Sequence, residues 1–161
     1  MAMATDWVQV YRDSLYAFRD GDAGWRRFAL DAPCVDPAAD LHAARRALGL
    51  GDDLTLITAW NPDSEERPED WNLAANERLV AALRTAEVHF QDAYGASLPG
   101  TEPAWREDGF ALRGVARDEA AGWGRRYGQR ALVRIDAEGC GLLFCTDDTL
   151  VPCAVRVLAD G

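Results

Sequence analysis

Lysine is missing from this sequence of 161 residues: all 17 basic side chains are arginine, set against 27 acidic ones for a net charge of -10. Schiff-base chemistry, a lysine general base and any lysine-dependent phosphate loop are thereby excluded. So acidic a chain repels phosphate backbones, and nucleic acid is not an expected partner. Histidine is scarce, only His42 and His89, and the four cysteines (Cys34, Cys140, Cys145, Cys153) form no C-x-x-C pair. Zinc sites present close pairs of ligands, so no metal and no cofactor are expected, and the cysteines read as small buried hydrophobes. No apolar run approaches the roughly 18 residues that span a bilayer. The first 22 residues lack a basic head followed by an apolar core, so the expected compartment is the cytoplasm and a membrane is not an expected partner. G-x-S-x-G, H-E-x-x-H, the Walker loop and G-x-G-x-x-G are all absent.

What is present is enough apolar sequence for a core, 48% of residues, in a length that suits one domain over 1–161. Trp7, Tyr11, Leu15 and Phe18 recur at helical spacing and predict a helix over about 6–20. Trp25 to Val35 reads as extended, and Asp40 to Leu50 as a short helix ended by Gly49 and Gly51. Leu54 to Trp60 is the most strand-like run, closed by Asn61-Pro62; its unbroken hydrophobicity predicts a strand covered on both faces. Pro68 opens a helix to about Ala86 with Trp71, Ala75, Leu79, Leu83 and Ala86 as its buried stripe. A strand over Glu87 to Ala93, a loop over Tyr94 to Asp108 and a strand over Gly109 to Gly114 follow. The remainder reads as a helix over Arg117 to Tyr127, paired strands Ala131 to Asp136 and Gly139 to Cys145, and a last strand over Leu150 to Val157. The order from Leu54 to Asp136, strand-helix-strand-strand-helix-strand, predicts a ferredoxin-like (split βαβ) α+β fold with helices on one face of an antiparallel or mixed sheet. The N-terminal helix and strand and a C-terminal hairpin would extend it.

Three stretches carry a family resemblance. Ile57-Thr58-Ala59-Trp60-Asn61-Pro62 resembles a TAWNP signature. Asp70-Trp71-Asn72, with Asn76 and Leu79 after it, is similar to an acidic-x-Asn helix. Gly124-Arg125-Arg126-Tyr127-Gly128-Gln129 resembles a G-R-R-aromatic-G-Q motif, and Trp105 with Glu107 matches a Trp-x-Glu element. Together, over about 25–145, these resemble the bacterial domain-of-unknown-function family DUF3293. Two positions depart from its pattern: Arg130 stands where the family usually has Asn, and Ala116 where a Ser or Thr cap is expected. The resemblance implies no activity.

The candidate site residues come from those motifs. Asn61 ends the predicted central strand, where it either initiates a turn or faces a cleft. Trp60 is either core or a stacking platform. Asn72 and Asn76, one helical turn apart, either satisfy backbone near the Asn61-Pro62 turn or face a ligand. Arg125, Arg126 and Gln129 either complement a helix C-terminus or, for the arginines, form a fork for a carboxylate or phosphate. Trp105 joins them as a possible wall. The acidic run Glu65, Glu66, Glu69 and Asp70 suits a helix start.

Three functions remain open. The first is a small-ligand-binding or regulatory domain, the ligand being a small anion. The second is an enzyme with Glu107 as base and Arg126, Asn61, Asn72 and Gln129 stabilising an anion. The third is a protein-interaction module, with open sheet edges that could also pair in a homodimer.

Overall fold

The computed structural model describes residues 4–21 and 24–159. Nine antiparallel strands form one sheet in the order β8-β7-β6-β3-β5-β4-β1-β2-β9. They are β1 (Ser14–Arg19), β2 (Trp25–Asp31), β3 (Leu54–Ile57), β4 (His89–Ser97), β5 (Arg106–Arg113), β6 (Ala131–Ile135), β7 (Cys140–Phe144), β8 (Thr149–Pro152) and β9 (Ala154–Val157). Four α-helices accompany them: α1 (Trp7–Arg12), α2 (Pro37–Leu48), α3 (Glu69–Thr85) and α4 (Arg117–Arg126). Among the described residues no helix is long and apolar enough to cross a membrane.

The expected open ferredoxin-like sheet with helices on one face is corrected on two counts. First, β8 and β9 stand at opposite ends of the strand order yet are separated by Cys153 alone. The sheet must therefore curl until its two edges nearly meet, and it forms an almost closed barrel; the Cys153 N–H donates to the Cys140 carbonyl at 2.9 Å across that corner. Second, helices cover both faces. Leu48 of α2 and Val8 and Tyr11 of α1 pack with Phe18, Phe28, Leu54, Leu56, Val133 and Leu142 inside the curl. Ala75, Leu79 and Leu83 of α3 and Ala120 and Trp123 of α4 pack with Leu112, Leu132 and Leu143 on the outside. Neighbouring strand residues such as Leu132 and Val133, or Leu142 and Leu143, go to opposite sides, as the pleat requires.

Three local expectations are also corrected. The helix over 6–20 is a six-residue helix, capped by Asp6, followed by β1. Leu15, Tyr16, Ala17 and Phe18 are buried consecutively because β1 is paired with both β2 and β4 and covered on both faces. A two-sided burial pattern erases alternation and leaves spacings that imitate a helix. The loop over Tyr94 to Asp108 is largely hairpin: β4 and β5 pair from His89↔Arg113 to Ala96↔Arg106. The single strand over Leu150 to Val157 is two strands, because the chain crosses from one end of the sheet to the other at Cys153.

Among the described residues two charged side chains are buried, Arg134 and Asp136. Arg134 of β6, 2% exposed, donates to Asp136 at 2.7 Å, to the Thr55 hydroxyl at 2.9 Å and to the Val115 carbonyl at 2.8 Å. Burial alone would raise the Asp136 carboxyl, but Arg134, the Glu138 N–H and Arg117 hold it below the usual carboxylate range.

Candidate ligand cavity

The end of β3 is a tightly held turn. Asn61 adopts a left-handed conformation (φ 46) and leads into a single 3-10 turn, Pro62–Ser64. Asn tolerates that region because its amide can bond locally. Here the Asn61 N–H donates to Asn72 Oδ1 at 2.9 Å, and Asn72 Nδ2 donates back to Asn61 Oδ1 at 3.0 Å. Asn61 Oδ1 also accepts the Arg67 N–H at 2.9 Å, fixing the approach to α3. One turn along α3, Asn76 Oδ1 accepts the Ala59 N–H at 2.9 Å while its Nδ2 donates to the Asp108 carbonyl at 2.8 Å. Both asparagines are buried, and they take the stripe position expected of Trp71, which is instead 38% exposed. Arg67 and Arg78 lie against the Trp71 ring.

The tail of α4 closes on the same turn. Gln129 Nε2 donates to the Trp60 carbonyl at 3.1 Å, and the Asp63 N–H donates to the Gly128 carbonyl at 2.7 Å. Gly128 (φ 69) faces Pro62 so closely that a Cβ would overlap it, and Gly124 leaves no room for one against Cys145. The end of β3 thus lies beside the tail of α4. Asn72 and Asn76 bond backbone groups and, for Asn72, the Asn61 side chain, as a polar network.

Beside this turn opens a cavity of about 290 Å³ at the mouth of the curled sheet. Five of the candidate residues line it: Trp60, Asn61, Trp105, Glu107 and Gln129. Its other walls are Trp7, Val10 and Tyr11 of α1, Tyr16 of β1, Tyr94 and Gly95 of β4, and apolar side chains of β3 and β6. Asn61 Nδ2 donates to Glu107 Oε1 at 3.0 Å, so the turn amide orients the carboxylate. Burial pushes the Glu107 carboxyl above its ordinary value, only partly offset by that hydrogen bond. Burial likewise pushes Tyr11 up to about 12, and Tyr16, whose hydroxyl donates to the Tyr11 carbonyl at 2.7 Å, rises too.

Arg125 and Arg126 lie elsewhere. Arg125 bonds the Cys145 carbonyl and, at 2.9 Å, Asp148. Arg126 packs over the Trp123 and Tyr127 rings, 5.3 and 5.6 Å from their centroids. Neither lines the cavity, so the arrangement of Glu107 with Arg126 around one substrate is not what the fold brings together. Arg130 is at the rim: its guanidinium lies 3.9 Å from the Trp7 ring centroid and its Nε is 3.4 Å from Ser64 Oγ. The sequence reading missed the α1 wall and Tyr16 and Tyr94, having placed the first in a helical stripe and Tyr94 in a loop. The Tyr11–Tyr16 spacing fits no single helix or strand face, which left no periodic signal. Among the described residues no group of His, Cys, Asp and Glu could hold a metal ion.

Comparison with known families gives a match over the part of the chain that forms this turn. Residues 57–132 match the family DUF3293, described as a protein of unknown function. The DUF3293 match begins at the end of β3 and stops within β6. It therefore contains the whole clasp, from Thr58 through Asn72, Asn76 and Glu107 to Gln129, but not the α1 wall of the cavity. It is narrower than the 25–145 span of the resemblance. Neither a curated protein nor a solved structure matches the chain.

Proposed function

We propose that this chain is a small-ligand-binding domain whose site is the cavity between α1, the end of β3 and the β4–β5 hairpin. The observation that carries the reading is the meeting of Trp60, Asn61, Trp105, Glu107 and Gln129, from three stretches far apart in sequence, on one opening. At about 290 Å³ the cavity sits at the small end of known ligand sites (~300–1,000 Å³), with apolar walls and few polar groups, the composition such sites share. The compartment that goes with it is the cytoplasm, supported by the buried thiols of Cys140, Cys145 and Cys153, which suit a reducing environment.

A thermal-shift screen with amines, amino acids, nucleotides and organic acids tests the reading, run on the wild type and on Gly95→Leu. A Cβ at Gly95 sits in ordinary contact, 3.9 Å from the Leu15 carbonyl and the Trp105 and Tyr16 rings, so the position tolerates a side chain, and the rest of a leucine takes up space in the cavity. A ligand at about 100 times its Kd stabilises by ~2.7 kcal/mol, about 5–10 °C for a chain of this size. The expected result is such a shift in the wild type and its loss in Gly95→Leu. No shift from any compound, or equal shifts in both proteins, would end the proposal.

A further inference from the structure

We propose that the ligand is an organic ammonium ion, its charge set against Glu107 and its apolar body among the rings of Tyr11, Tyr16, Trp60 and Trp105. This rests on the cavity being the ligand site and adds the chemistry it selects. Among the described lining residues Glu107 is the one carboxylate, and no arginine lines the cavity. Elsewhere this arginine-rich chain pairs its carboxylates freely: Asp136 with Arg117 and Arg134, Asp148 with Arg125, Asp31 with Arg156, Asp52 with Arg113. Glu107 accepts one hydrogen bond, from the neutral amide of Asn61, and among the described residues no cation pairs with it. A half-buried carboxylate without a counter-charge is costly, so its retention in an aromatic cavity points to a cation from outside. Ring faces add attraction for that cation, and an anion would meet repulsion from Glu107 with no arginine in the cavity to offset it.

The groups that face Glu107 are Asn61 and the two high-pKa phenols Tyr11 and Tyr16; Arg130, at the rim, is engaged with Trp7 and Ser64. Since burial raises the Glu107 carboxyl, it becomes neutral at a higher pH than an ordinary glutamate, and cation binding weakens as pH falls through that point.

The test is calorimetric titration of the full chain with three probes of similar shape: phenethylammonium, 3-phenylpropionate and 2-phenylethanol. The wild type is expected to bind phenethylammonium about tenfold or more tightly than the other two. Glu107→Gln, checked for folding by circular dichroism, is expected to lose that preference. Glu107→Asp, which keeps the charge on a shorter arm, is expected to weaken binding but retain it. Equal or tighter binding of 3-phenylpropionate, or an unchanged preference in Glu107→Gln, overturns the ammonium proposal. So does failure of all three probes to bind. In each case a screen ligand whose shift disappears in Gly95→Leu would leave the cavity as a site; without such a ligand both readings fall.

Discussion

Replacing Asn76 by leucine isolates one joint of the clasp. The two side chains are similar in size, but leucine offers neither acceptor nor donor. The Ala59 N–H, in a residue 2% exposed, loses its partner Asn76 Oδ1 and cannot reach water; an orphaned buried donor costs about 1–3 kcal/mol. The Asp108 carbonyl loses Asn76 Nδ2 but keeps the Thr58 hydroxyl at 2.6 Å, so that loss is a single net hydrogen bond of about 0.5–1.5 kcal/mol. Leucine's burial returns part of this. The net expectation is about 2 kcal/mol, a fall in Tm of about 4–8 °C. Urea unfolding followed by circular dichroism measures it, with m unchanged if the denatured state is unaffected. Asn76→Asp keeps the acceptor for Ala59 but sets a second oxygen against the Asp108 carbonyl. It should therefore be less stable than the wild type at neutral pH and recover in acid, where a protonated carboxyl can donate. A Tm for Asn76→Leu at or above the wild type would refute the view that these amides hold the site together.

Two further outcomes follow from the same geometry. Gly124→Ala and Gly128→Ala place a Cβ against Cys145 and Pro62 and should destabilise, whereas Gly95→Ala, whose Cβ would sit in ordinary contact at 3.9 Å, should be neutral or slightly stabilising in thermal melts. With native protein at pH 8, a thiol reagent should label Cys34 quickly and the other three only on unfolding, since burial pushes Cys140 up to about 12 and Cys145 to about 11 and raises Cys153; rapid labelling of more than one thiol would contradict the packing at the barrel corner.

How much of this could be read in advance depended on whether the signal was local. The helix opened by Pro68 runs over Glu69–Thr85, close to its expected span, because its start signal and apolar spacing lie within it. The turn at Asp136 to Gly139 was likewise visible: its residues carry their own turn chemistry, with Asp136 Oδ1 accepting the Glu138 and Gly139 N–H groups. The juxtaposition of the Asn61-Pro62 turn with Gly128-Gln129 had no local signal, since its glycine and amides answer one another only across the fold. Barrel closure was not legible. It rests on β9 pairing with β2, Val157 opposite Phe28 and Ala154 opposite Asp31, and nothing in either short strand specifies so distant a partner. The cavity's far wall failed for the same reason, since Tyr11 and Tyr16 reach it only once α1 packs inside the curl and β1 pairs with β2 and β4.

The pKa of Glu107, followed by carbon-detected NMR of its side-chain carboxyl, addresses most directly the claim that a carboxylate is held half-buried and uncompensated in an aromatic cavity. The predicted value lies above the ordinary glutamate value of about 4.3. A raised folded-state pKa means that this group's contribution to stability is full in acid and is lost as pH rises through that pKa. Glu107→Gln should accordingly melt higher than the wild type at neutral pH and not in acid. A Glu107 that titrates at or below the ordinary value, with no such gain in the variant, would contradict the account.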